Sequence, residues 1–284
     1  MLVGTLDTVR GADGDTGGDV GNNKARAGLL IVSGGNELRS GAYAGQAAIA
    51  ATIAALGYPV FRYDRRGVGD SEGVNEGFES SHDDIAAALI AFRAAVPDMT
   101  RVVAFGNCDA ASALVLFHHA LGFSALGIDS LVLANPWVIE AASNEVTDDV
   151  TELSGAPNAA AIRARYWARI KNPHSLVDLI SGKIDLKKLA SGLVKAAAKK
   201  PPSSLEIRIA TALASARINV KILIAKRDTT AQAFIGAWSD HAFIAVRENP
   251  CITLHSIDSP SHSFAGAVEK AWLIDQILGG LSQG

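Results

Sequence analysis

The 284-residue chain holds only two cysteines, Cys108 and Cys251. It is therefore no disulfide scaffold, and a reducing compartment argues against pairing the two, so each thiol is judged by its own neighbours. Positive charge is not in excess either. Lys plus Arg number 26 against 29 Asp plus Glu, a net charge of −3, which gives no field for a nucleic-acid backbone and no polybasic patch for anionic lipid. Long apolar runs are missing: the longest, Ala47 to Phe61, is broken by Thr52, Gly57, Tyr58 and Pro59. No membrane span is expected. Nor does the opening Met1-Leu2-Val3-Gly4 lead from a basic stretch into an apolar one, so a cytoplasmic location follows by default.

With 49% hydrophobic and 19% charged residues, the composition is that of a globular protein with a large core. Short continuous apolar runs at Gly28 to Ser33, Val60 to Tyr63, Arg101 to Phe105, Leu131 to Ala134, Val220 to Ala225 and Ile252 to Ile257 read as six strands buried on both faces. A shorter apolar segment, Leu2 to Leu6, precedes them. The Gly-, Asp- and Asn-rich stretch Gly11 to Asn23 reads as a surface loop joining two antiparallel edge strands. Helix-period segments at Tyr43 to Leu56, His82 to Val96, Ala110 to Leu121, Thr230 to Val246 and Phe264 to Leu278 alternate with the strands. That alternation calls for an α/β fold, a mainly parallel central sheet flanked by helices on both faces. From Val138 to Arg217 no strand-like run intervenes, which reads as a helical cap inserted at the ligand-binding edge of the sheet. The core then divides into residues 1–137 and 218–284, with the cap at 138–217.

The sharpest chemical signal is Gly106-Asn107-Cys108-Asp109-Ala110, where a buried strand runs straight into an Ala-rich helix. This is a nucleophile elbow with Cys in place of Ser and Ala in place of the second Gly. Small residues at Gly106 and Ala110 suit a tight turn, and the helix N-terminus beside Cys108 favours a thiolate and a developing oxyanion. The plain alternative is a Cys acting as a small hydrophobe. Of the seven histidines, His262 stands in the polar loop Asp258-Ser259-Pro260-Ser261-His262 after the last strand, where an imidazole can reach over the sheet edge as a base. Asp228, just past the strand Val220 to Ala225, is the carboxylate to orient it, with Asp258 as runner-up. The order Cys108, Asp228, His262 is that of a nucleophile–acid–histidine triad with each member after a strand. Donors for a tetrahedral oxyanion are expected from the Ser33-Gly34-Gly35-Asn36 turn, specifically the Asn36 N–H paired with the Asp109 N–H. Gly35, Trp137 and Tyr166 are candidates to line the substrate site. The glycine-rich stretch Tyr63 to Gly73 has neither a Gly-Lys-Ser/Thr ending nor Gly-x-Gly-x-x-Gly spacing, so it reads as a turn rather than a nucleotide site. No metal-ligand spacing is present and the chemistry calls for no cofactor.

Taken together, Asp64-Arg65-Arg66-Gly67-Val68-Gly69-Asp70-Ser71, the elbow Gly106 to Ser112, Ala134-Asn135-Pro136-Trp137, Arg227-Asp228 and Ser261-His262-Ser263-Phe264 resemble the α/β-hydrolase superfamily. More closely, the chain resembles the exosortase A system-associated hydrolase 1 family, from about Leu2 to Leu278 and including Tyr166-Trp167 and Leu179 to Leu186. It departs in having Asn36-Glu37 where the resemblance leads to Pro-Gln, and Ser261 rather than Asp before His262. The resemblance implies an α/β-hydrolase fold with a helical cap, in a bacterial cytoplasmic protein tied to exopolysaccharide and exosortase functions. The residues themselves point to cleavage of an ester, thioester or lactone through an acyl-enzyme, with a small-molecule acyl substrate. Two rivals stand beside this reading: an acyltransferase on the same fold, and a catalytically silent binding or assembly protein.

Overall fold

A computed structural model describes residues 1–8, 27–120, 127–140 and 203–282. The chain runs β1 (Gly4–Asp7), β2 (Ala27–Val32), α1 (Gly45–Ala55), β3 (Val60–Tyr63), α2 (His82–Ala95), β4 (Arg101–Asn107), α3 (Asp109–Ala120) and β5 (Ser130–Ala134). It continues through α4 (Ser204–Ala214), β6 (Asn219–Ala225), α5 (Thr229–Trp238), a short α6 (Ile244–Arg247), β7 (Ile252–Ile257) and α7 (Ala267–Ser282). The strands form one sheet in the order β1-β3-β2-β4-β5-β6-β7. All neighbours pair in parallel except β1, which lies antiparallel on β3.

Strand alternation separates two cores. Leu30, Val32, Val102, Ala104, Leu131, Leu133, Ile222 and Ile224 face one layer with α2, α3, α4 and α5. The residues alternating with them, Leu29, Ile31, Val103, Phe105, Val132 and Leu223, face the other, with α1 and α7. Side chains of period two thus explain why the central strands read as unbroken apolar runs: each face has its own helical cover. Within α4, Leu205, Ile209 and Leu213 are buried in the first of these layers. The remainder of the expected cap, 141–202, and Tyr166 with it, lies outside the described residues.

Four local expectations are corrected. β2 does not pair with β1; it sits between β3 and β4 in the sheet interior, so the 11–23 stretch, outside the described residues, does not join two antiparallel edge strands. β7 is the far edge, half-exposed rather than buried on both faces. The segment Thr230 to Val246 is broken after Trp238, because Asp240 caps a new turn by accepting the His241 N–H. Helices α1 and α7 start later than the periodicity suggests: Tyr43 and Ala44 at φ 51° and 56°, and Phe264 at φ 53°, hold left-handed turns ahead of them.

Candidate active site

The carboxyl ends of the strands converge: Gly34 and Gly35 follow β2, Asp64 follows β3, Cys108 follows β4, Asn135 follows β5, Asp228 follows β6 and His262 follows β7. Cys108 occupies the single residue between β4 and α3 and is held at φ 62°. A left-handed non-glycine residue costs about 1–3 kcal/mol, a strain that persists only where the surroundings over-determine it. Here they do. The Cys108 N–H donates to the Ala134 carbonyl at 2.9 Å, and its carbonyl accepts from Ala111 and Trp137, both at 3.2 Å. A Cβ on Gly106 would come within 2.8 Å of the Ala110 backbone, so the strand and the helix pass too closely for any larger residue there.

His262 Nδ1 lies 3.1 Å from Asp228 Oδ2, and Asp228 is only 7% exposed. With Nδ1 engaged by Asp228, Nε2 is the ring nitrogen left for the nucleophile, and Cys108 is close enough to act electrostatically on the imidazole. The Asp228 hydrogen bond and, after it, the nearness of Cys108 push the His262 pKa up to about 10, against a smaller opposing effect of burial. Burial works to raise the Asp228 carboxyl. It is outweighed by hydrogen bonds from His262 and the N–H groups of Ala231 and Thr230, so this pKa falls below its ordinary value. Asp228 also caps α5, accepting the Ala231 N–H at 2.9 Å. The runner-up Asp258 is exposed and pairs instead with Arg227 at 2.9 Å.

Gly35 to Glu37 arch over the elbow. The Gly35 N–H donates to Asp109 Oδ1 at 2.7 Å, and a Cβ on Gly34 would meet that same oxygen at 2.7 Å and the Asn107 carbonyl at 2.8 Å. Among the described residues, the N–H groups of Asn36 and Asp109 have no acceptor. Trp137 is brought beside Cys108 through its backbone, while its own carbonyl accepts from Ser112 Oγ at 2.5 Å.

Three contributors were not apparent in the sequence. Asn135 is fully buried; its Nδ2 donates to the His262 carbonyl at 3.1 Å and its Oδ1 accepts the Ala225 N–H at 2.9 Å. Asn107 Nδ2 donates to the same His262 carbonyl at 3.2 Å. Both lie at strand ends and inside motifs that carry the family resemblance, the local signals that could have marked them. Glu37 is the third. Burial raises its carboxyl pKa, His262 counters that rise and Asp109 adds to it, which places the Glu37 carboxyl within electrostatic reach of the imidazole. Among the described residues no group of three or more His, Cys, Asp or Glu converges as a metal centre requires, and no helix is long and apolar enough to cross a membrane.

Residues 23–201 match the profile of the serine aminopeptidase family S33. The chain belongs to that family. The matched stretch contains the elbow and stops before Asp228 and His262, and it carries Cys108 where the family's name denotes a serine enzyme. Solved structures extend the likeness over the whole S33 fold. An esterase of Pyrococcus furiosus, Pf2001, is 16% identical over 92% of this chain and 82% of its own, with a TM-score of 0.54. Est1E of Butyrivibrio proteoclasticus, solved with ferulic acid, is 13% identical over 99% and 96%, at 0.58. An α/β hydrolase of Sphaerobacter thermophilus is 14% identical over 99% and 96%, at 0.52. At these identities the likeness establishes the α/β-hydrolase fold. No curated protein matches by sequence. The S33 chain is thus a hydrolase built on a seven-stranded, mostly parallel sheet.

Proposed function

We propose that this S33 hydrolase cleaves an ester, thioester or lactone of a small acyl substrate through a thioester on Cys108, with His262 as general base and acid and Asp228 as its orienting carboxylate. The observation that carries the reading is the conjunction of a strained Cys108 at φ 62° with an imidazole that is anchored to Asp228 at 3.1 Å and lies within electrostatic reach of the thiol. With its pKa raised to about 10, His262 already holds the proton that Cys108 gives up, and the first step is the bonding of Sγ to the acyl carbon. The oxyanion forms between the Asn36 and Asp109 N–H groups. Collapse breaks the bond to the leaving oxygen or sulfur, which takes the proton back from His262. Water then gives its proton to His262, which returned its own to the leaving group, and attacks the thioester; the acid leaves as Sγ is released beside the protonated His262.

A thiolate is itself a good leaving group. From an amide-derived intermediate it departs more readily than an amine, so activated esters, lactones and thioesters are favoured over amides. The esterases among the structural neighbours agree with that choice of bond. Trp137 and Gly35 border the acyl site in this reading, and Tyr166 would join them from the cap 138–217. The residues that resemble the exosortase A system-associated hydrolase 1 family support a bacterial, cytoplasmic role linked to exopolysaccharide. No cofactor enters any step.

Turnover on a panel of activated esters, thioesters and lactones tests the reading. Activity should be lost in both Cys108→Ala and His262→Ala, and wild-type rates in both would refute it. Adding polyols to the same assay reports whether a sugar-like hydroxyl competes with water for the acyl group.

A further inference from the structure

Arg65 lies at the carboxyl end of β3 with its side chain 4% exposed, an expensive place for a guanidinium unless it is paired. Its Nη2 donates to the Gly35 carbonyl and stands 3.7 Å from Asp109 Oδ2, while Nη1 reaches Ser81 Oγ at 3.4 Å. The other Asp109 oxygen accepts the Gly35 N–H at 2.7 Å. Both peptide units flanking the Gly35 Cα are therefore pinned, the preceding one by Asp109 and the following one by Arg65.

The second of these peptides is the one that supplies the Asn36 N–H. A trans peptide is planar with its C=O and N–H pointing in opposite directions, and the described residues contain no cis bond. Holding the Gly35 carbonyl on Arg65 thus aims the Asn36 N–H away from Arg65. Without that hold the direction is not determined locally. Gly34 to Glu37 form a turn closed by the Glu37 N–H on the Gly34 carbonyl at 3.0 Å. Gly35 has φ +54° and Asn36 a negative φ, the type II′ pattern. Flipping the central peptide converts type II′ to I′, which needs a positive φ at Asn36, and Asn accommodates that conformation more readily than most residues. Gly35 adds no steric barrier, since a Cβ there would meet nothing within 4 Å.

We propose that Arg65 and the Asp109 carboxylate are positioning residues that select the orientation of the Gly35–Asn36 peptide, and so aim the Asn36 N–H at the acyl oxyanion. The guanidinium on the carbonyl side of the same amide also polarises it and strengthens the N–H as a donor. The inference rests on the acyl-enzyme reading above. It adds to that reading a charged pair on the far side of the oxyanion loop, contributed by β3 and by the residue after Cys108.

The test compares two reactions of the same thiol in Arg65→Gln, Arg65→Lys and Asp109→Asn. Acylation of Cys108 by an activated ester develops an oxyanion; alkylation of Cys108 by iodoacetamide does not. Acylation should fall about 10²-fold in Arg65→Gln, the scale of one lost oxyanion donor. KM and the alkylation rate should stay within about 3-fold, because binding and nucleophile are untouched. Arg65→Lys should recover part of the loss, and Asp109→Asn, whose amide oxygen can still accept the Gly35 N–H, should lose less than Arg65→Gln. Unchanged acylation in Arg65→Gln overturns the proposal while leaving the acyl-enzyme intact. Equal falls in acylation and alkylation assign the pair to the fold instead. A wild-type protein that alkylates at Cys108 but never acylates sinks the acyl-enzyme reading and this inference with it.

Discussion

The elbow and the histidine loop stand opposite each other over the same sheet edge and are held by different means. Cys108 is set by backbone: a one-residue link between β4 and α3, a left-handed φ, a Gly106 whose Cβ would crowd the Ala110 backbone, and peptide hydrogen bonds with Ala134 and Trp137. His262 is set by other strands. Its carbonyl is gripped by Asn107 and Asn135, and its ring by Asp228, from the ends of β4, β5 and β6. The nucleophile is placed by backbone geometry and backbone hydrogen bonds, whereas the base is held by side-chain hydrogen bonds, each of which a substitution can remove. The two halves should therefore fail differently when perturbed.

The largest expected effect falls on the histidine side. Asp228→Asn can keep the α5 cap, since Asn is as good an N-cap as Asp, yet it removes the charge facing His262 Nδ1 and should lower kcat by about 10³-fold or more. Its pH signature is specific. With the His262 pKa raised to about 10 from 6.5, the ring's contribution to stability is complete below 6.5 and is lost as pH rises through about 10. The lowered Asp228 pKa gives the opposite sense: a contribution present above 3.8 and lost as pH falls through its depressed value. Urea unfolding of wild type and Asp228→Asn should thus diverge most between those limits and converge beyond them.

Next in size is Asn135→Ala, which leaves the Ala225 N–H buried without its acceptor and frees the His262 carbonyl. We expect a loss of about 2–3 kcal/mol in urea unfolding, together with a lower kcat. Gly106→Ala strikes the elbow through packing alone. Its new methyl within 2.8 Å of the Ala110 backbone should cost about 1–3 kcal/mol, read as a lower thermal midpoint. If Gly106→Ala were neutral and Asn135→Ala harmless, the contrast between the two sides would dissolve. The smallest effect belongs to Asp258→Asn. It breaks an exposed pair with Arg227, 76% and 59% exposed, and should change stability by no more than about 1 kcal/mol and leave kcat unchanged.

The same contrast explains what could be read in the sequence. The alternation of parallel strands with helices, the elbow and the chain order Cys108, Asp228, His262 depend on local runs and turns, and the structure pairs Asp228 with His262 at the sheet edge that carries Cys108. Buried Asn135, half-buried Glu37 and clamped Arg65 were not legible, because each owes its place to partners 30 to 127 residues away or to burial. The pairing of β1 with β3 rather than β2 was hidden for the same reason: a four-residue strand carries no mark of its neighbour. The break after Trp238 was missed because the apolar periodicity continues past Asp240, whose side chain caps the next turn.

Intact-protein mass spectrometry, after brief exposure to the ester, thioester and lactone panel and an acid quench, tests the central claim most directly. The account predicts an added acyl mass on wild type and none on Cys108→Ala, with the adduct persisting longer in His262→Ala whenever it forms there. An unmodified Cys108 beside measurable turnover, or an adduct that survives in Cys108→Ala, would contradict it.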